Sequence, residues 1–376
     1  MRILFISFHY NERFTYQENL LPLECRKKGH DTLIVTSDIV QSKTNGYEYV
    51  DCKYGNKKQG VVRLKPAFKD RPSIAHRLRK LNKLYETLYD YRPDVIFVNT
   101  IQTLDLYKIK KYKKKHTEVK IYFNTHTDYY TSGTNWISLN ILHKLFFKHI
   151  VKSNLESAEK VFYISVNCGR FAHEIYGIPK DKLELLSLGG TVSDQVRLDQ
   201  DRQKIVNELK ISEDTMIWVQ AGKMDGKKNV LEALRAFKHV KEKNIVYLLI
   251  GELCDDISED ILKLVEKDSR IRYLGWKSGE QLICYLNACN LYIQPGKVSA
   301  IAQTALCSSC AVILKKLEDY EMFVKENGWL IEDTSQLEEI LSYAGTHQEE
   351  IVKMQKNSRE ISKKYLDNSN LIHKFC

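Results

Sequence analysis

Short apolar runs of four to seven residues recur along the chain, separated by stretches with helical spacing. In the first half they are Ile3–Phe8, Thr32–Thr36, Val95–Val98, Val119–Phe123 and Val161–Ile164. In the second they are Met216–Gln220, Ile245–Gly251, Ile271–Leu274, Leu291–Gln294 and Ala311–Leu314. The runs are rich in Val, Ile and Tyr and do not alternate strictly. Strands buried on both faces of a parallel sheet read this way. Between them lie helical patterns such as Tyr16–Lys28 and Asn229–Lys243. Strand and helix in alternation predict doubly wound α/β layers.

The number of strands predicts two such units, with the break after Leu186–Gly190. The polar stretch Thr191–Lys204 follows, and a new strand starts near Met216. The boundaries expected are 1–192 and 193–350, with 351–376 as a terminal helix returning to the first domain. A chain of 376 residues suits about two domains. A ligand cleft at the carboxyl ends of the strands is then the default site. Residues 104–120 are Lys-rich and predict an exposed helix. Residues 346–376 predict terminal helix with no strand after it. No apolar run approaches the roughly 20 residues that span a bilayer. The opening MRILFISFHY reads as a first strand rather than a signal peptide, so a cytoplasmic location is expected.

With 43% apolar and 28% charged residues, 6 Pro and 17 Gly, the composition excludes disorder and collagen-like architecture. The nine Cys fit buried reduced thiols. Cys307 and Cys310 form a CxxC with no second pair or His cluster beside it, so no metal site is expected. Charge divides the chain. Residues 1–190 carry 32 Lys and Arg against 19 Asp and Glu, whereas residues 191–376 carry 26 against 29. The basic half reads as a solvated face or as a surface for an anionic partner, a nucleic acid or a membrane.

Five segments are candidates for chemistry. Ala221-Gly222-Lys223-Met224-Asp225-Gly226-Lys227-Lys228-Asn229-Val230 follows a strand and opens a helix. There Gly222 permits a tight turn, and Lys223 and Lys228 bring two cations to a helix N-terminus, a seat for a diphosphate. It lacks the Walker A spacing and reads equally as a solvated turn. Gln294-Pro295-Gly296-Lys297-Val298-Ser299-Ala300-Ile301-Ala302-Gln303 also follows a strand. Ser299 suits an N-cap for a helix from Ala300, small residues such as Gly296 let an anion approach, and Gln303 can reach a ribose hydroxyl. An ordinary capped helix with a surface Gln gives the same string.

Asn124-Thr125-His126-Thr127-Asp128 sits at a strand's carboxyl end. His126 can donate to a sugar hydroxyl or a phosphate, and Asp128 can orient a hydroxyl or the imidazole. Phe171–Pro179 reads as a helix stopped by Gly177 and Pro179, with Glu174 facing either cleft or water. His9–Asn19 joins the first strand to the first helix. Its Tyr10, Tyr16, Gln17 and Asn19 would line an acceptor side, where the aromatic rings can stack on a sugar or pack on the domain.

Taken together these pieces resemble the GT-B glycosyltransferases, specifically the retaining family 4, over nearly the whole chain. MRILFISF with YQENLLPLECRKKGHDTLIVTS is similar to that family's first βαβ unit. NTHTDYYTSGTNW and FYISVNCGRFAHEIYGIPKDKLELLSLGG are similar to the rest of its acceptor domain. GKMDGKKNVLEALRAF, YLLIGE, IRYLGW and LYIQPG follow in the order of its donor domain. The resemblance implies two Rossmann-like domains, acceptor then donor, around a cleft. It implies a nucleotide-sugar donor, UDP-linked first and GDP-linked next, with no obligatory cofactor or metal.

In the resemblance Lys223 stands where a phosphate-binding Arg is usual, and Lys228 where a phosphate-binding Lys is usual. Gln303 stands at the second Glu of E-x7-E, which holds the ribose, and His126 at the His that contacts the transferred sugar. The backbone at Gly275-Trp276 would cradle the base. The family's first E-x7-E Glu has no counterpart, since Pro295 lies eight residues before Gln303. Its Gly-Phe-Gly becomes Lys297-Val298-Ser299, and the N-terminal Gly-Gly pair is missing. PGxxSxxxQ recurs as a variant among bacterial polysaccharide enzymes of the family.

The expectation is a retaining hexosyltransferase acting on a glycan or lipid-linked saccharide in surface polysaccharide synthesis. The alternative is a catalytically weak or inactive partner subunit of the same fold. Nucleic-acid binding is disfavoured, because no RNA or DNA module accompanies the basic residues. Lys108–Lys120, with Leu145, Phe146, Phe147, Lys144, Lys148 and Lys152 of Ile141–Lys152, would contact an anionic membrane at its inner face. Leu145 and the Phe pair serve equally well as core.

Overall fold

The computed structural model describes residues 1–12, 16–41, 47–50, 60–130 and 132–376. Arg13, Phe14 and Thr15 of the His9–Asn19 loop, Cys52 and Thr131 lie outside the described residues. The chain forms two compact units, Met1–Ser187 with Leu371–Cys376, and Leu188–Asn370.

The first unit holds β1 (Arg2–Ile6), β2 (Asp31–Ser37), β3 (Ile39–Gln41), β4 (Tyr47–Tyr49), β5 (Val61–Leu64), β6 (Val95–Val98), β7 (Lys120–Thr125), β8 (Lys160–Tyr163) and β9 (Leu183–Leu185). Seven of these make a sheet in the order β5-β2-β1-β6-β7-β8-β9, parallel throughout. β3 and β4 pair antiparallel apart from it. The second unit holds β10 (Met216–Ala221), β11 (Ile245–Ile250), β12 (Ile271–Tyr273), β13 (Leu291–Gln294), β14 (Ala311–Lys315) and β15 (Gly328–Ile331). Its sheet runs β12-β11-β10-β13-β14-β15, also parallel throughout.

β6, β10, β11 and β13 are buried at every position, as strands covered by helices on both faces must be. In the second unit Val219, Leu248 and Tyr292 fill one face, and Trp218, Tyr247 and Ile293 the other. Each sheet reverses its winding once, between β1 and β6 in the first unit and between β10 and β13 in the second. Open α/β sheets bind ligands outside the carboxyl ends of their strands at this reversal. The segments read as candidates, after β1, β7, β10 and β13, leave those ends.

The structure redraws several expected elements. Most of the polar stretch Thr191–Lys204 is helical: the helix Gln195–Leu209 starts within it, capped by Asp194 Oδ1 accepting from Arg197 N–H at 2.8 Å. Its first turns are polar, and the apolar face of Leu198, Ile205, Val206 and Leu209 emerges only further along. The helix expected over Asn229–Lys243 stops at Phe237. Val240 turns into the core, and the Arg270 guanidinium takes the carbonyls of Val240 and Glu242.

The expected terminal segment 351–376 is divided. The helix Gln348–Tyr365 belongs to the second unit, with Ile351, Ser358 and Ser362 buried and Ser358 Oγ donating to Cys310 O at 2.6 Å. Only Leu371–Cys376 belongs to the first unit, where Leu371, Ile372 and Phe375 pack on Ile3, Phe5 and Phe97. Among the described residues no helix is long and apolar enough to cross a membrane. The basic helix Leu106–Lys115 buries Leu106, Ile109 and Tyr112. Three of its ammonium groups are committed to backbone carbonyls: Lys108 to Leu81, Lys110 to Ser153, and Lys113 to Thr117 and Val119.

Candidate active site

In the second unit the loops at the sheet reversal are bound to one another. β10 ends at Ala221, and Gly222 turns the chain with φ +112°. The turn after β11 lies so close that a Cβ on Gly251 would sit 1.9 Å from Gly222 O, and Gly251 has φ +143°. Gly251 N–H in turn donates to Gly275 O at 2.9 Å, which fixes the loop after β12. From the other side of the reversal comes Pro295–Ser299. A Cβ on Gly296 would lie 2.2 Å from Lys227 O, so backbone meets backbone there. Asn229 Nδ2 donates to Pro295 O at 3.1 Å, Lys297 N–H to Lys227 O at 3.2 Å, and Lys297 Nζ pairs with Asp225 Oδ2 at 2.8 Å.

This clamp places Lys228. The residue is only 7% exposed, and among the described residues its ammonium has no hydrogen-bond acceptor. Its carbonyl accepts from the buried Gln220 amide at 3.2 Å, whose oxygen takes the Tyr247 hydroxyl at 2.9 Å. Burial first, then the Lys297 charge, bring the ammonium down to about 8, with Asp225 opposing. Partial burial works to raise the Asp225 carboxyl, yet the Lys297 hydrogen bond and charge, and the Lys228 charge, hold it below the usual range. A half-desolvated cation without a partner is electrostatically incomplete, and an anion completes it. Asn229, left-handed at φ 53°, then starts the helix Val230–Phe237, whose first N–H groups have no intrahelical partners. Lys223 is exposed on the same loop.

Ser299 does precede the helix Ala300–Cys307 in extended conformation, but its side chain makes no capping bond. The Tyr320 hydroxyl holds the position instead, accepting from Ser299 N–H at 2.7 Å. Gln303 is buried at 7% exposure and its Oε1 accepts from Gly189 N–H at 2.9 Å. Its amide nitrogen donates to no described residue. Trp276 follows Gly275 and is 58% exposed.

In the first unit a hydrogen-bonded relay ends on His126. Gln17 Nε2 donates to Ser187 O at 2.9 Å and to Leu186 O at 3.3 Å, which orients its amide. Gln17 Oε1 then accepts from Asn124 Nδ2 at 2.8 Å, and Asn124 Nδ2 lies 3.0 Å from His126 Nε2. An amide nitrogen only donates, so Nε2 accepts and the ring carries its proton on Nδ1. Burial, aided by the Arg79 charge, lowers His126 to about 4. The imidazole is neutral at neutral pH and suits a sugar hydroxyl. Beside it Asn99 Oδ1 lies 3.2 Å from Asn124 Nδ2. Burial pushes the Glu18 carboxyl up, against its own backbone N–H and the Asn99 amide.

The remaining candidates have local partners. Asp128 Oδ1 accepts from Tyr130 N–H at 2.9 Å in a turn. Glu174 is exposed and accepts from the Tyr129 hydroxyl at 2.5 Å. Tyr10 is buried, Asn19 Nδ2 donates to Asn11 O at 3.0 Å, and Tyr16 is 48% exposed at the helix start. Arg63 pins the same loop through both oxygens of Glu12 at 2.7 Å. Cys307 and Cys310 are buried thiols, pushed up by burial, with Cys310 Sγ donating to Leu286 O. Among the described residues no three His, Cys, Asp or Glu side chains gather as a metal-holding group.

Residues 201–361 match the family Glycosyl transferases group 1. The matched stretch lies within the second unit. Solved structures extend the likeness to the whole chain. A glycosyltransferase from Rickettsia africae superposes with a TM-score of 0.69 at 15% identity, covering 99% of this chain and 96% of that one. The Anabaena protein HepE, solved in complex with UDP and glucose, gives 0.67 at 14%, covering 100% and 98%. WaaG, a glycosyltransferase involved in lipopolysaccharide biosynthesis, gives 0.59 at 14%, covering 99% and 98%. No curated protein matches the chain. The fold is the two-domain α/β architecture of GT-B glycosyltransferases.

Sequence reading singled out Lys228 and both loops of the second unit, but not the contacts that lock them. Asn229, Tyr320 and the Gly251–Gly222 contact carry no motif of their own. In the first unit Gln17 was expected to face an acceptor and instead orients Asn124. Glu18, Asn99 and Arg79 were missed, since nothing in their neighbours along the chain marks them.

Proposed function

We propose that the protein transfers a hexose from a UDP-sugar to a glycan or lipid-linked saccharide, with retention of anomeric configuration. The observation that carries this reading is Lys228: a buried lysine whose ammonium has no hydrogen-bond acceptor among the described residues, at the sheet reversal of the stretch that matches the group 1 glycosyltransferases. A diphosphate meets it with Lys223 and the free N–H groups at Val230 and Ala300. The C1–O bond to the phosphate breaks as C1 bonds to the acceptor oxygen, and the acceptor proton passes to the leaving phosphate oxygen. Protein cations neutralise the charge that develops on the diphosphate, a task that asks for no divalent ion. His126, held neutral by burial, orients a hydroxyl of the transferred sugar. UDP is favoured over GDP by analogy with HepE, solved with UDP and glucose. A role in surface polysaccharide synthesis, on the inner face of a cell membrane, is supported by the likeness to WaaG.

A thermal-shift screen against UDP-, GDP-, ADP- and CMP-sugars tests the donor. Stabilisation by UDP-sugars and its loss in Lys228→Met is the expected result, and a blank across all four would refute it. Pro295 standing where the family has a Glu, and Gln303 Oε1 engaged by Gly189, favour one second reading. In it the protein binds a nucleotide sugar yet transfers poorly, serving an active subunit as partner. UDP-sugar binding with no transfer to any lipid-linked acceptor would decide for it.

A further inference from the structure

Exposed hydrophobic side chains are ordinary when scattered singly and informative when contiguous. The segment Trp136–Phe147 of the first unit is of the second kind. Residues Ser138–Phe147 form a π-helix of ten residues, and Lys148 N–H donates to His143 O, five residues back. On such a helix residues four and five apart share a face. One face is buried: His143 lies with its Nδ1 2.7 Å from the Tyr176 hydroxyl, and Phe147 is 3% exposed. Of the two readings that the sequence leaves open for Phe147, the structure takes the core one. The other face carries Trp136, Ile137, Ile141, Leu145 and Phe146, which are 69, 65, 48, 67 and 39% exposed.

The charged residues along this stretch of the chain have one sign. No Asp or Glu occurs between Asp128 and Glu156, whereas Lys144 falls inside the segment and Lys148 directly follows it. Lys144 is exposed and makes only a neutral contact, to Asn140 Oδ1 at 3.1 Å. Two copies placed face to face would set these cations against each other. A surface that is both apolar and anionic suits them, and Trp favours the depth where such a surface meets water.

We propose that this face docks on an anionic lipid bilayer, with the five apolar side chains in the headgroup–acyl boundary and Lys144 and Lys148 against lipid phosphates. The Lys-rich helix Leu106–Lys115 offers no comparable apolar row, because Leu106, Ile109 and Tyr112 are buried, and Lys108, Lys110 and Lys113 are held by backbone carbonyls. The inference rests on the proposed lipid-linked acceptor only for its use in the cell.

Co-sedimentation of the full chain with phosphatidylcholine vesicles, with and without 30% phosphatidylglycerol, tests it. Wild type should bind the anionic vesicles and lose binding as salt rises. Ile141→Asp with Leu145→Asp should weaken binding at least tenfold, and Lys144→Glu with Lys148→Glu by about fivefold or more per position. Both variants should keep the wild-type melting temperature and its UDP-induced rise. No binding by wild type at low salt, or equal binding by the variants, overturns the proposal. So does a wild-type dimer that the aspartates make monomeric while vesicles bind neither form. Vesicle binding without any UDP effect would leave docking intact and refute the donor assignment alone.

Discussion

Replacing Lys228 by Met keeps the side-chain stem and removes the charge, which separates two consequences of burying that charge. An ammonium held at about 8 rather than 10.5 is disfavoured by about 3 kcal/mol in the folded state, at about 1.4 kcal/mol for each tenfold change in proton affinity. The unfolded chain binds the extra proton between pH 8 and 10.5, so this penalty is complete below pH 8 and fades as pH rises to 10.5. Lys228→Met should therefore melt higher than wild type at pH 7, by up to roughly 2–4 °C for each kcal/mol relieved. The gap should close by pH 10.5. The same variant should lose most of the stabilisation that UDP gives wild type, and its transfer rate should fall about a hundredfold or more. Differential scanning fluorimetry across pH 6–11, with and without UDP, reads both effects. A variant no more stable than wild type at pH 7, yet still shifted by UDP, would show that Lys228 is neither strained nor the phosphate ligand.

Gln303→Ala leaves the Gly189 N–H without its acceptor and should cost about 1–3 kcal/mol in urea denaturation, while Gln303→Glu, which keeps an acceptor, should cost less. Gly296→Ala drives a methyl into Lys227 O and should destabilise the second unit by about 1–3 kcal/mol and weaken UDP binding together, by melting and calorimetry. Because His126 titrates near 4 when folded and 6.5 when unfolded, wild-type stability should fall as pH drops from 6.5 to 4, and His126→Gln should flatten that slope. Gln17→Leu frees Asn124 to rotate and should lower kcat more than donor affinity, with a turnover equal to wild type refuting the relay.

The strands show where sequence is legible. β6 and β13 were read to the residue, since each is covered on both faces and so is apolar throughout. β5, β9 and β15 were not read. They are the last strands of their sheets, partly exposed, and their patterns merge into the surrounding loops. The loops after β10 and β13, proposed to hold the diphosphate, were legible because Gly, Lys and Pro punctuate them. The relay through Gln17, Asn124 and His126 was not, because its hydrogen bonds join residues up to 170 positions apart.

The sequence by itself determined the two α/β units, the strand order along the chain and the loops that leave the carboxyl ends, since burial pattern and backbone punctuation are local properties. Only the tertiary structure decided what each polar group in those loops does. Lys228 is a weakened base because the contacts of Gly296 and Asn229 pack the loops after β10 and β13 together, which buries it and sets Lys297 nearby. The Ser299 side chain makes no cap and its N–H goes to the Tyr320 hydroxyl, and Gln303 gives its oxygen to the Gly189 N–H. Whether a side chain binds a ligand depends on what else within hydrogen-bond reach already satisfies it, and that is set by folding, not by position in the chain.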